Sequence, residues 1–255
     1  MGPLPITVVI ITFNEAANIR RCIESVIGLG SEILVVDSGS TDGTPEFAHS
    51  AGATVLHQPF LGYIEQKNFA TSKARFDWVL SLDADEALTP ELLDEIRQEM
   101  REPRFKGYHM PRLTNYCGHW VRHSGWYPDR KLRLYDRRYG AWTGINPHDR
   151  YDLQEGLKSG TLHHDLLHFS YNSLSDHLRQ IDRFSAIGAK ALYDKGVKSS
   201  LLKILIKPLA RFLRAYVVHG GYRDGLTGLV IAANSAHAVF LKYLRLFYLH
   251  KGKTI

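Results

Sequence analysis

The stretch that decides the fold is Asp77-Trp-Val-Leu-Ser-Leu-Asp-Ala-Asp-Glu86, a short apolar run that ends in three acidic residues. Residues 78–82 have the length and the aromatic and β-branched content of a buried strand. Asp83 and Asp85 would follow at its carboxyl end, the edge where open α/β sheets bind their ligands. Two such carboxylates repel each other unless a cation lies between them, and their hard oxygen atoms suit Mg²⁺ or Mn²⁺. The alternative is a solvated acidic turn that leads into the next helix.

Around this stretch, strand-like and helix-like patterns alternate over the first 100 residues. Apolar runs predict four strands, at residues 6–13, 32–36, 53–57 and 78–82. Helical periodicity and cap-and-proline signals predict four helices, which begin near residues 19, 45, 63 and 89. Asn14, directly after the first strand, is a candidate N-cap for the first helix. The alternation predicts a parallel sheet with right-handed helical crossovers.

Two nucleotide-binding motifs are absent from the sequence. No Gly-X-Gly-X-X-Gly follows the first strand, and no Walker P-loop occurs in the chain. Their absence argues against an NAD-type Rossmann enzyme and against an NTPase.

Aromatic and basic residues interleave between residues 103 and 152, where helical periodicity is absent. We expect short strands and loops that close over the carboxyl edge of the sheet, where aromatic rings could stack a sugar and Arg could pair with a phosphate. A twisted hairpin with packed aromatic rings is the alternative. Within this region a Gly/Asn/Pro turn signal precedes His148, Asp149 and Asp152, a second cluster of titratable groups. His168 and residues 163–165 fit no zinc pattern, so we expect a structural or supporting role for them.

Helices are predicted for the C-terminal part of the chain. Residues 173–193 form an amphipathic pattern, and residues 226–249 form an apolar pattern with a few polar interruptions. Residues 201–218 are apolar except for cations at spacings of four, four and three, namely Lys203, Lys207, Arg211 and Arg214. A basic stripe beside an apolar face is typical of a helix that lies in a membrane interface. A core-packing helix with a solvated charged face is the alternative, and the pattern favours neither.

Composition limits the class of protein. With 255 residues and 44% hydrophobic side chains, the chain is long enough for one large domain, or a domain with an appendage. Cys22 and Cys117 are too few and too distant for a disulfide framework or a zinc pattern, which favours a reduced cytosolic compartment. We expect no signal peptide, because no basic region or cleavage site precedes the first strand. We also expect no membrane-spanning helix, because no window holds 18 uninterrupted apolar residues.

The net charge of +6 is unevenly distributed along the chain. Residues 201–255 contain nine Lys/Arg and one Asp, a net charge of +8, so the other 200 residues carry −2. We therefore expect the C-terminal segment to meet an anionic membrane surface. We expect no nucleic-acid partner.

Three segments of the first 100 residues resemble the family 2 glycosyltransferases. They are Val-Val-Ile-Ile-Thr-Phe-Asn-Glu (8–15), Val-Val-Asp-Ser-Gly-Ser-Thr-Asp-Gly-Thr (35–44) and Leu-Asp-Ala-Asp-Glu (82–86). The remainder resembles the subgroup close to lipopolysaccharide inner-core β-1,4-glucosyltransferases, through residues 129–135, the His148-Asp149 pair and the segments that begin at Pro208 and Gly220. That subgroup has His-Glu where this chain has His-Asp.

The resemblance implies a GT-A fold, which is an α/β domain with a mostly parallel sheet flanked by helices. We expect this catalytic domain at residues 1–170, followed by an amphipathic, membrane-associating helical extension at residues 171–255. The resemblance also implies a nucleotide-sugar donor, which we expect to be a UDP-sugar, and a divalent metal ion, Mg²⁺ or Mn²⁺. It places donor-binding residues at Thr12, Asn14, Glu15, Asp37, Lys67, Asp83, Ala84, Arg130 and Arg133. It places metal ligands at Asp85 and His148.

The expected reaction is an inverting sugar transfer. Such a transfer requires a base that takes the proton of the acceptor hydroxyl, and positive charge on the departing diphosphate. We expect Asp149 to be the base, with Asp152 as the second choice and Glu86 as the third.

The expected acceptor is a lipid-anchored glycan such as the lipopolysaccharide inner core, and glucose is the expected sugar. The enzyme would be cytoplasmic and peripheral on the inner face of the cell membrane. One alternative is a transferase for another envelope or capsular polysaccharide, or for a polyprenyl phosphate. The other is a non-catalytic membrane protein that binds nucleotide-sugars.

Overall fold

A computed structural model describes residues 2–146 and 148–253 of the chain, without the side chain of His148. The strands are β1 (Leu4–Thr12), β2 (Gly30–Asp37), β3 (Thr54–His57), β4 (Trp78–Asp83), β5 (Glu86–Leu88), β6 (Gly107–Tyr116), β7 (His119–Val121), β8 (Asp129–Asp136), β9 (Gly140–Ile145), β10 (His148–Leu153), β11 (Gly160–Thr161) and β12 (Leu166–Tyr171). The α-helices are α1 (Ile19–Glu24), α2 (Thr44–Ser50), α3 (Tyr63–Lys73), α4 (Pro90–Glu99), α5 (Leu174–Asp194), α6 (Leu201–Leu213) and α7 (Gly225–Leu249).

The main sheet has the strand order β3-β2-β1-β4-β8-β6-β12-β5. Its first four strands are parallel to one another, and each is followed or preceded by a helix, as the alternating pattern predicts. β8 then pairs antiparallel with both β4 and β6. β9 and β10 form a separate antiparallel hairpin. The expected α/β class is therefore confirmed, with antiparallel strands added on one side of the parallel core.

β1 and β4 lie at the centre of the core because their residues are apolar on both faces. In β1, Ile6, Val8 and Ile10 belong to one buried cluster, and Val9 belongs to a second cluster on the other face. Such two-sided burial is typical of parallel strands that are covered on both faces. Each strand therefore crosses the interior and ends in polar residues at its carboxyl edge.

Asn14 does not cap the first helix. That helix begins at Ile19 with Asn18 at its N-cap. Asn14 instead has a positive φ of 55°, a conformation that Asn tolerates better than most residues. Its side chain accepts from the Thr41 N–H in the loop after β2, and Asn18 occupies the N-cap position without a side-chain capping hydrogen bond.

The chain divides into two compact units. The first comprises the residues up to Arg112 and Asp129–Phe169, and the second comprises Leu113–Pro128 and the residues from Ser170 onward. Residues 113–128, which the sequence analysis assigns to the first domain, thus belong to the second unit. The boundary at residue 170 stays a prediction.

Three helices form most of the second unit, in which α7 packs against α5 and α6. Ser173 and Asp176 form a reciprocal capping box at the start of α5, and Ser200 caps α6. α6 contains Pro208 and continues into a π-helical turn at Arg214–Val218.

Among the described residues, one helical segment, which contains α7, has the length and apolar composition of a membrane span. Gly221–Leu249 is long enough, and its mean hydropathy of 1.2 in an 18-residue window is apolar enough, to cross a bilayer by length and composition. Only 22% of that window is buried. Length and composition alone do not place a helix in a membrane, so the expectation of no membrane-spanning helix stays a prediction.

Candidate active site

The carboxyl ends of β1, β2 and β4 meet at one edge of the sheet. In the strand register Thr12 lies beside Asp37, and Ile11 lies beside Asp83. Ala84 and Asp85 follow immediately, and Ala84 is buried. The predicted convergence of polar residues at this edge is therefore present, in the order that the parallel register imposes.

The loops after β1 and β2 are tied together by side-chain hydrogen bonds. The Asn14 backbone N–H donates to Ser40 Oγ over 2.8 Å, and Thr41 N–H donates to Asn14 Oδ1 over 2.9 Å. Asp37 accepts from the backbone N–H groups of Gly39 and Ser40, each over 2.9 Å. Asp37 is only 3% exposed, so in this structure it orders the loop that lines the edge.

Glu15 lies in the field of the acidic turn. Its backbone N–H donates to Thr44 Oγ1, and its carboxylate accepts from Asn18 Nδ2, both over 2.8 Å. Burial raises the pKa of Glu15, the Asn18 hydrogen bond lowers it, and repulsion from Asp85 and nearby acids raises it further, so the net shift is upward. The edge therefore concentrates negative charge, as three acids in close proximity would.

Asp83 is held by two buried cations. Lys67 Nζ lies 3.0 Å from Asp83 Oδ1, and Arg133 Nη2 lies 2.5 Å from Asp83 Oδ2. Both cations are only 3% exposed. Burial alone would raise the pKa of Asp83, but Arg133 and Lys67 more than offset it and hold the pKa far below its usual value. At Asp83, protein side chains thus supply positive charge, where the sequence analysis expected a cation between Asp83 and Asp85.

Glu86 contacts both Asp83 and its partner Arg133. Its Oε1 accepts from Arg133 Nη2 over 2.7 Å and from Arg112 Nη1 over 3.1 Å, and its Oε2 accepts from the Asp83 N–H over 3.0 Å. Arg112 also pairs with Asp129 Oδ2 over 2.6 Å. Because Glu86 is 1% exposed and pairs with two arginines, it is placed to orient Arg133 rather than to receive a proton from an acceptor.

Asp85 has a different partner from Asp83. Its Oδ2 lies 3.2 Å from His168 Nε2, and the two side chains are 24% and 14% exposed. Burial raises the pKa of Asp85, but the charge and hydrogen bond of His168 outweigh it, so the pKa lies below its ordinary value. Asp85 and His168 therefore present a carboxylate and an imidazole side by side at the sheet edge.

A complete protein-only metal cage is absent from the described part of the chain. No group of three or more His, Cys, Asp or Glu residues there is arranged to hold a metal ion. The predicted ligand His148 has its side chain outside the described residues.

The hairpin of β9 and β10 brings Asp149 to the same cluster. Lys67 Nζ lies 2.7 Å from Asp149 Oδ2, so one lysine links Asp149 to Asp83. Asp152 lies three residues farther along β10, on its opposite face, and bonds to Thr143 Oγ1 and Arg150 Nε over 2.5 and 2.9 Å. The structure therefore brings Asp149, and not Asp152, to the acidic edge.

Arg130 and Arg133 are separated in the same way. Arg133 is buried beside Asp83, whereas Arg130 is exposed. Arg130 lies opposite Pro111 in the β6–β8 register and, after burial, contributes to the lowered pKa of His109. The structure thus places Arg133 in the cluster and Arg130 away from it.

Three buried polar atoms around this edge have no hydrogen-bond partner among the described residues: Thr12 Oγ1, Gln66 Oε1 and Arg133 Nε. Most buried polar groups in proteins are paired. Unpaired atoms at a sheet edge that gathers ligand-type residues are consistent with a ligand that supplies the missing partners.

Sequence reasoning assigned no direct role to His168 or Arg112. His168 stood in a histidine-rich segment that fits no zinc spacing, and its link to Asp85 crosses 83 positions of the chain. β5 and β12 create that link, because Glu86 pairs with His168 in their antiparallel register. The sequence feature that could have indicated this contact is the combination of an Asp-X-Asp turn with a histidine in a later strand.

Comparison with known proteins identifies the family. The family model described as Glycosyl transferase family 2 matches residues 7–195. An uncharacterized glycosyltransferase from Rickettsia bellii is 34% identical, over 94% of this chain and 85% of that protein. The lipopolysaccharide core biosynthesis glycosyltransferase LpsC from Rhizobium meliloti is 30% identical, over 98% of this chain and 94% of that protein.

Among solved structures, the mannosyltransferase PcManGT from Pyrobaculum calidifontis, in complex with GDP-Man and Mn²⁺, has a similar fold. The TM-score is 0.50 and the identity 16%, over 98% of this chain and 76% of that one. The likeness concerns the fold alone and agrees with the expected GT-A architecture. From the family match, the relatives and the acidic edge of its sheet, the chain belongs to glycosyl transferase family 2.

Proposed function

We propose that this chain is a metal-dependent, inverting glycosyltransferase that uses a nucleotide-sugar, a UDP-sugar by expectation, and a lipid-anchored glycan acceptor. The observation that carries the proposal is that the two aspartates of the acidic turn, Asp83 and Asp85, have different partners. Asp83 is neutralised by the buried cations Lys67 and Arg133, whereas Asp85 lies beside His168 and keeps partial exposure. The Asp83 carboxylate is therefore occupied by protein cations that it holds in place, and the Asp85 carboxylate remains accessible to a ligand.

Donor binding is assigned to the edge formed by β1, β2 and β4. The unpaired atoms Thr12 Oγ1 and Arg133 Nε provide a hydroxyl and a cationic N–H for the donor. Asn14 and Asp37 act by fixing the loops that would surround the nucleotide, because their side chains bond to backbone groups of those loops. Charge-assisted hydrogen bonds from Arg suit the phosphates of such a donor.

The donor set at Asp85 and His168 fits a divalent cation. Mg²⁺ and Mn²⁺ accept carboxylate oxygen, imidazole also binds first-row metals, and these ions commonly share their coordination with substrate phosphates. Two protein ligands with the diphosphate therefore suffice, which agrees with the lack of a three-residue cluster in the described residues. When bound there, the cation supplies positive charge for the leaving diphosphate.

Asp149 is the proposed base. Lys67 occupies its Oδ2, whereas its Oδ1 has no hydrogen-bond partner among the described residues. Oδ1 can thus accept the hydrogen bond of an acceptor hydroxyl and take its proton as the hydroxyl attacks. Lys67 also fixes the orientation of the carboxylate, because it holds Oδ2 over 2.7 Å and leaves Oδ1 for the acceptor.

The acceptor class is proposed from the second unit and from a relative. LpsC, a lipopolysaccharide core biosynthesis glycosyltransferase, is 30% identical across nearly the full chain. α6 exposes large apolar side chains, among them Leu201, Leu205 and Leu209, which are 69%, 68% and 59% exposed. Such a face beside cations is suited to the surface of an anionic membrane. We therefore propose a lipid-anchored acceptor at the inner face of the cell membrane, with glucose as the expected sugar.

The test is nucleotide release from UDP-glucose, UDP-galactose and GDP-mannose, with and without Mn²⁺. We expect release with at least one donor, dependent on Mn²⁺, and a loss of roughly 10²-fold or more in Asp85→Ala and His168→Ala, the scale of lost electrostatic stabilisation. His164→Ala is the matched control, because His164 Nδ1 also pairs with an acid, Glu95, over 2.8 Å. If none of the three donors gives nucleotide release, the enzyme assignment is contradicted. If release is the same with and without Mn²⁺ and is unchanged in Asp85→Ala, the metal assignment is contradicted.

A further inference from the structure

A cavity of about 520 Å³ lies within the second compact unit. Its volume falls in the range of roughly 300–1,000 Å³ that small-molecule sites occupy. Apolar side chains form much of its wall, including Trp126, Ile181, Phe184 and Val239. Phe184 is also 37% exposed, so this wall reaches the protein surface.

Two cations line the cavity without an anionic partner. Arg211 comes from α6 and Lys242 from α7, and no Asp or Glu is among the lining residues. Neither cation forms an ion pair with any described residue, whereas Arg245, three residues farther along α7, pairs with Asp182. Two lining cations without an anion from the protein leave positive charge beside an apolar wall, where an anionic ligand could pair with it.

The remaining cations of the predicted basic stripe on α6 make other contacts. Lys203 Nζ donates to the Lys198 carbonyl over 2.7 Å, and Lys207 Nζ lies 5.7 Å from the centre of the Tyr243 ring. Arg214 Nε donates to His219 Nε2 over 3.2 Å. Arg211 is therefore distinguished within the stripe by its place in the cavity wall.

A neutral polar group, His177, completes the lining. It is 5% exposed, and its Nδ1 lies 2.9 Å from the Tyr116 hydroxyl and 3.1 Å from Asn234 Nδ2. Because an amide N–H₂ can only donate, Nδ1 accepts and the proton of the neutral ring is on Nε2. That N–H has no partner among the described residues, so His177 adds a neutral donor to a lining that also includes the polar residues Gln180 and Ser235.

We propose that this cavity binds a phosphate-bearing lipid, with the phosphate at Arg211 and Lys242 and an acyl chain along Ile181, Phe184 and Val239. A phosphomonoester carries about 1.5–2 negative charges at neutral pH, which matches two cations. Arg suits phosphate through its fork of N–H groups. The apolar wall requires a hydrophobic portion in the same ligand, which a free phosphate lacks.

This inference goes beyond sugar transfer. All residues named for the cavity belong to the second unit, whereas those named for donor, metal and base belong to the first. A membrane is the proposed source of the lipid, because α6, which carries Arg211, also exposes the apolar side chains of Leu205 and Leu209. Failure of the lipid site would therefore leave the proposed transferase reaction untouched.

Calorimetric titration of the full chain with dihexanoyl phosphatidic acid, kept below the concentration at which it forms micelles, tests the proposal. We expect one lipid per chain. Inorganic phosphate and dihexanoyl phosphatidylcholine should each bind at least about tenfold more weakly, equivalent to about 1.4 kcal/mol, because the first lacks the chain and the second carries a compensating positive charge.

Variants locate the site. Arg211→Gln with Lys242→Gln should weaken binding at least about tenfold, and Ala238→Phe, which places a ring in the cavity, should abolish it. The matched control removes two cations outside the cavity, Lys207→Gln with Lys253→Gln, and should bind as the unaltered chain does. The proposal is overturned if the control loses affinity equally, if phosphate or phosphatidylcholine binds as tightly, or if the two cavity variants, shown folded by circular dichroism, still bind.

Discussion

Lys67 shows at the scale of one residue how this site tolerates its acids. It is buried, lies 3.0 Å from Asp83 and 2.7 Å from Asp149, and faces the ring of Trp142 at 4.5 Å. A buried lysine is costly unless its charge is paired, and here two carboxylates pair it. In turn it links the residue that ends β4 to the proposed base on the hairpin. The charge balance of the edge therefore depends on a helix residue that the sequence analysis assigned to donor binding, and the structure shows it paired with two carboxylates.

Asp149→Asn tests the proposed base. The amide keeps the shape of the side chain and removes its basicity, so kcat should fall roughly 10²–10⁴-fold, the usual contribution of a general base. Donor affinity should change little, because the base acts on the acceptor. The measurement is steady-state transfer to acceptor, together with donor binding by calorimetry.

Asp152→Asn is the paired control on the same strand. Its carboxylate bonds to Thr143 and Arg150 on the other face of β10, so we expect a mild loss. If the two variants exchange behaviour, Asp152 is the base. If both remain active, neither is.

At the scale of single residues, the sequence predicted the strand-end positions better than their partners. Thr12, Asp37 and Asp83 converge because a parallel register follows from a strand–helix alternation that the sequence displays. The partners of Asp83 and Asp85 are Arg133 and His168, which lie 50 and 83 positions farther along the chain. Local periodicity holds no information on such pairs, since they depend on how β8 and β12 join the sheet.

At the scale of elements, α6 presents its apolar face outward. Leu202, Leu205, Ile206 and Leu209 are all more than half exposed, whereas Ile204 is buried. The helix periodicity is plain in the sequence, but periodicity alone does not say which face meets the protein. A large exposed apolar patch marks an interaction site, and the proposal of a membrane surface for it rests on the basic residues of the same helix.

Leu205→Ser with Leu209→Ser tests the membrane role of α6. Burial of a leucine contributes roughly 1.5–3 kcal/mol, so the double variant should lose at least about tenfold in affinity for anionic vesicles. Unaltered protein should bind such vesicles more weakly as salt rises, because exposed charges are screened. Sedimentation with vesicles, at low and high salt, measures both effects.

The control for this experiment replaces exposed apolar residues of the first unit. Ile27 and Phe47 are 57% and 44% exposed, and Ile27→Ser with Phe47→Ser should bind vesicles as the unaltered chain does. Equal binding to neutral and anionic vesicles would remove the electrostatic part of the account. An unchanged α6 variant would remove the apolar part.

At the scale of the whole molecule, the two compact units are not continuous stretches of the sequence. Residues 113–128 precede the last strands of the first unit, yet they pack with the C-terminal helices. Their anchor is Asp224, which accepts from the His123 N–H over 2.9 Å and lies 2.9 Å from His123 Nδ1. The two residues are about 100 positions apart, and a contact of this kind is not visible in the sequence. The sequence analysis therefore assigned residues 113–128 to the same domain as the residues that flank them in the chain.

The stability of the chain should fall in mild acid because of His177. Burial lowers the pKa of His177 to about 4, below the ordinary value of about 6.5. Between these values the unfolded chain binds more protons than the folded one, so the free energy of unfolding is greatest above about pH 6.5 and decreases as the pH falls toward about 4. At 1.36 kcal/mol for each pH unit, the loss approaches about 3 kcal/mol.

His177→Gln should flatten this dependence, because the amide can still bond to Tyr116 and Asn234 but does not titrate. Burial and Arg130 also lower the pKa of His109, which adds a loss of the same sign, and the variant keeps that part. The measurement is urea unfolding followed by circular dichroism at about pH 7 and about pH 4.5, where most of the His177 loss has accrued. His237→Gln, at an exposed histidine of α7, should behave as the unaltered chain does. If His177→Gln loses as much stability on acidification as the unaltered chain, the acid sensitivity arises elsewhere.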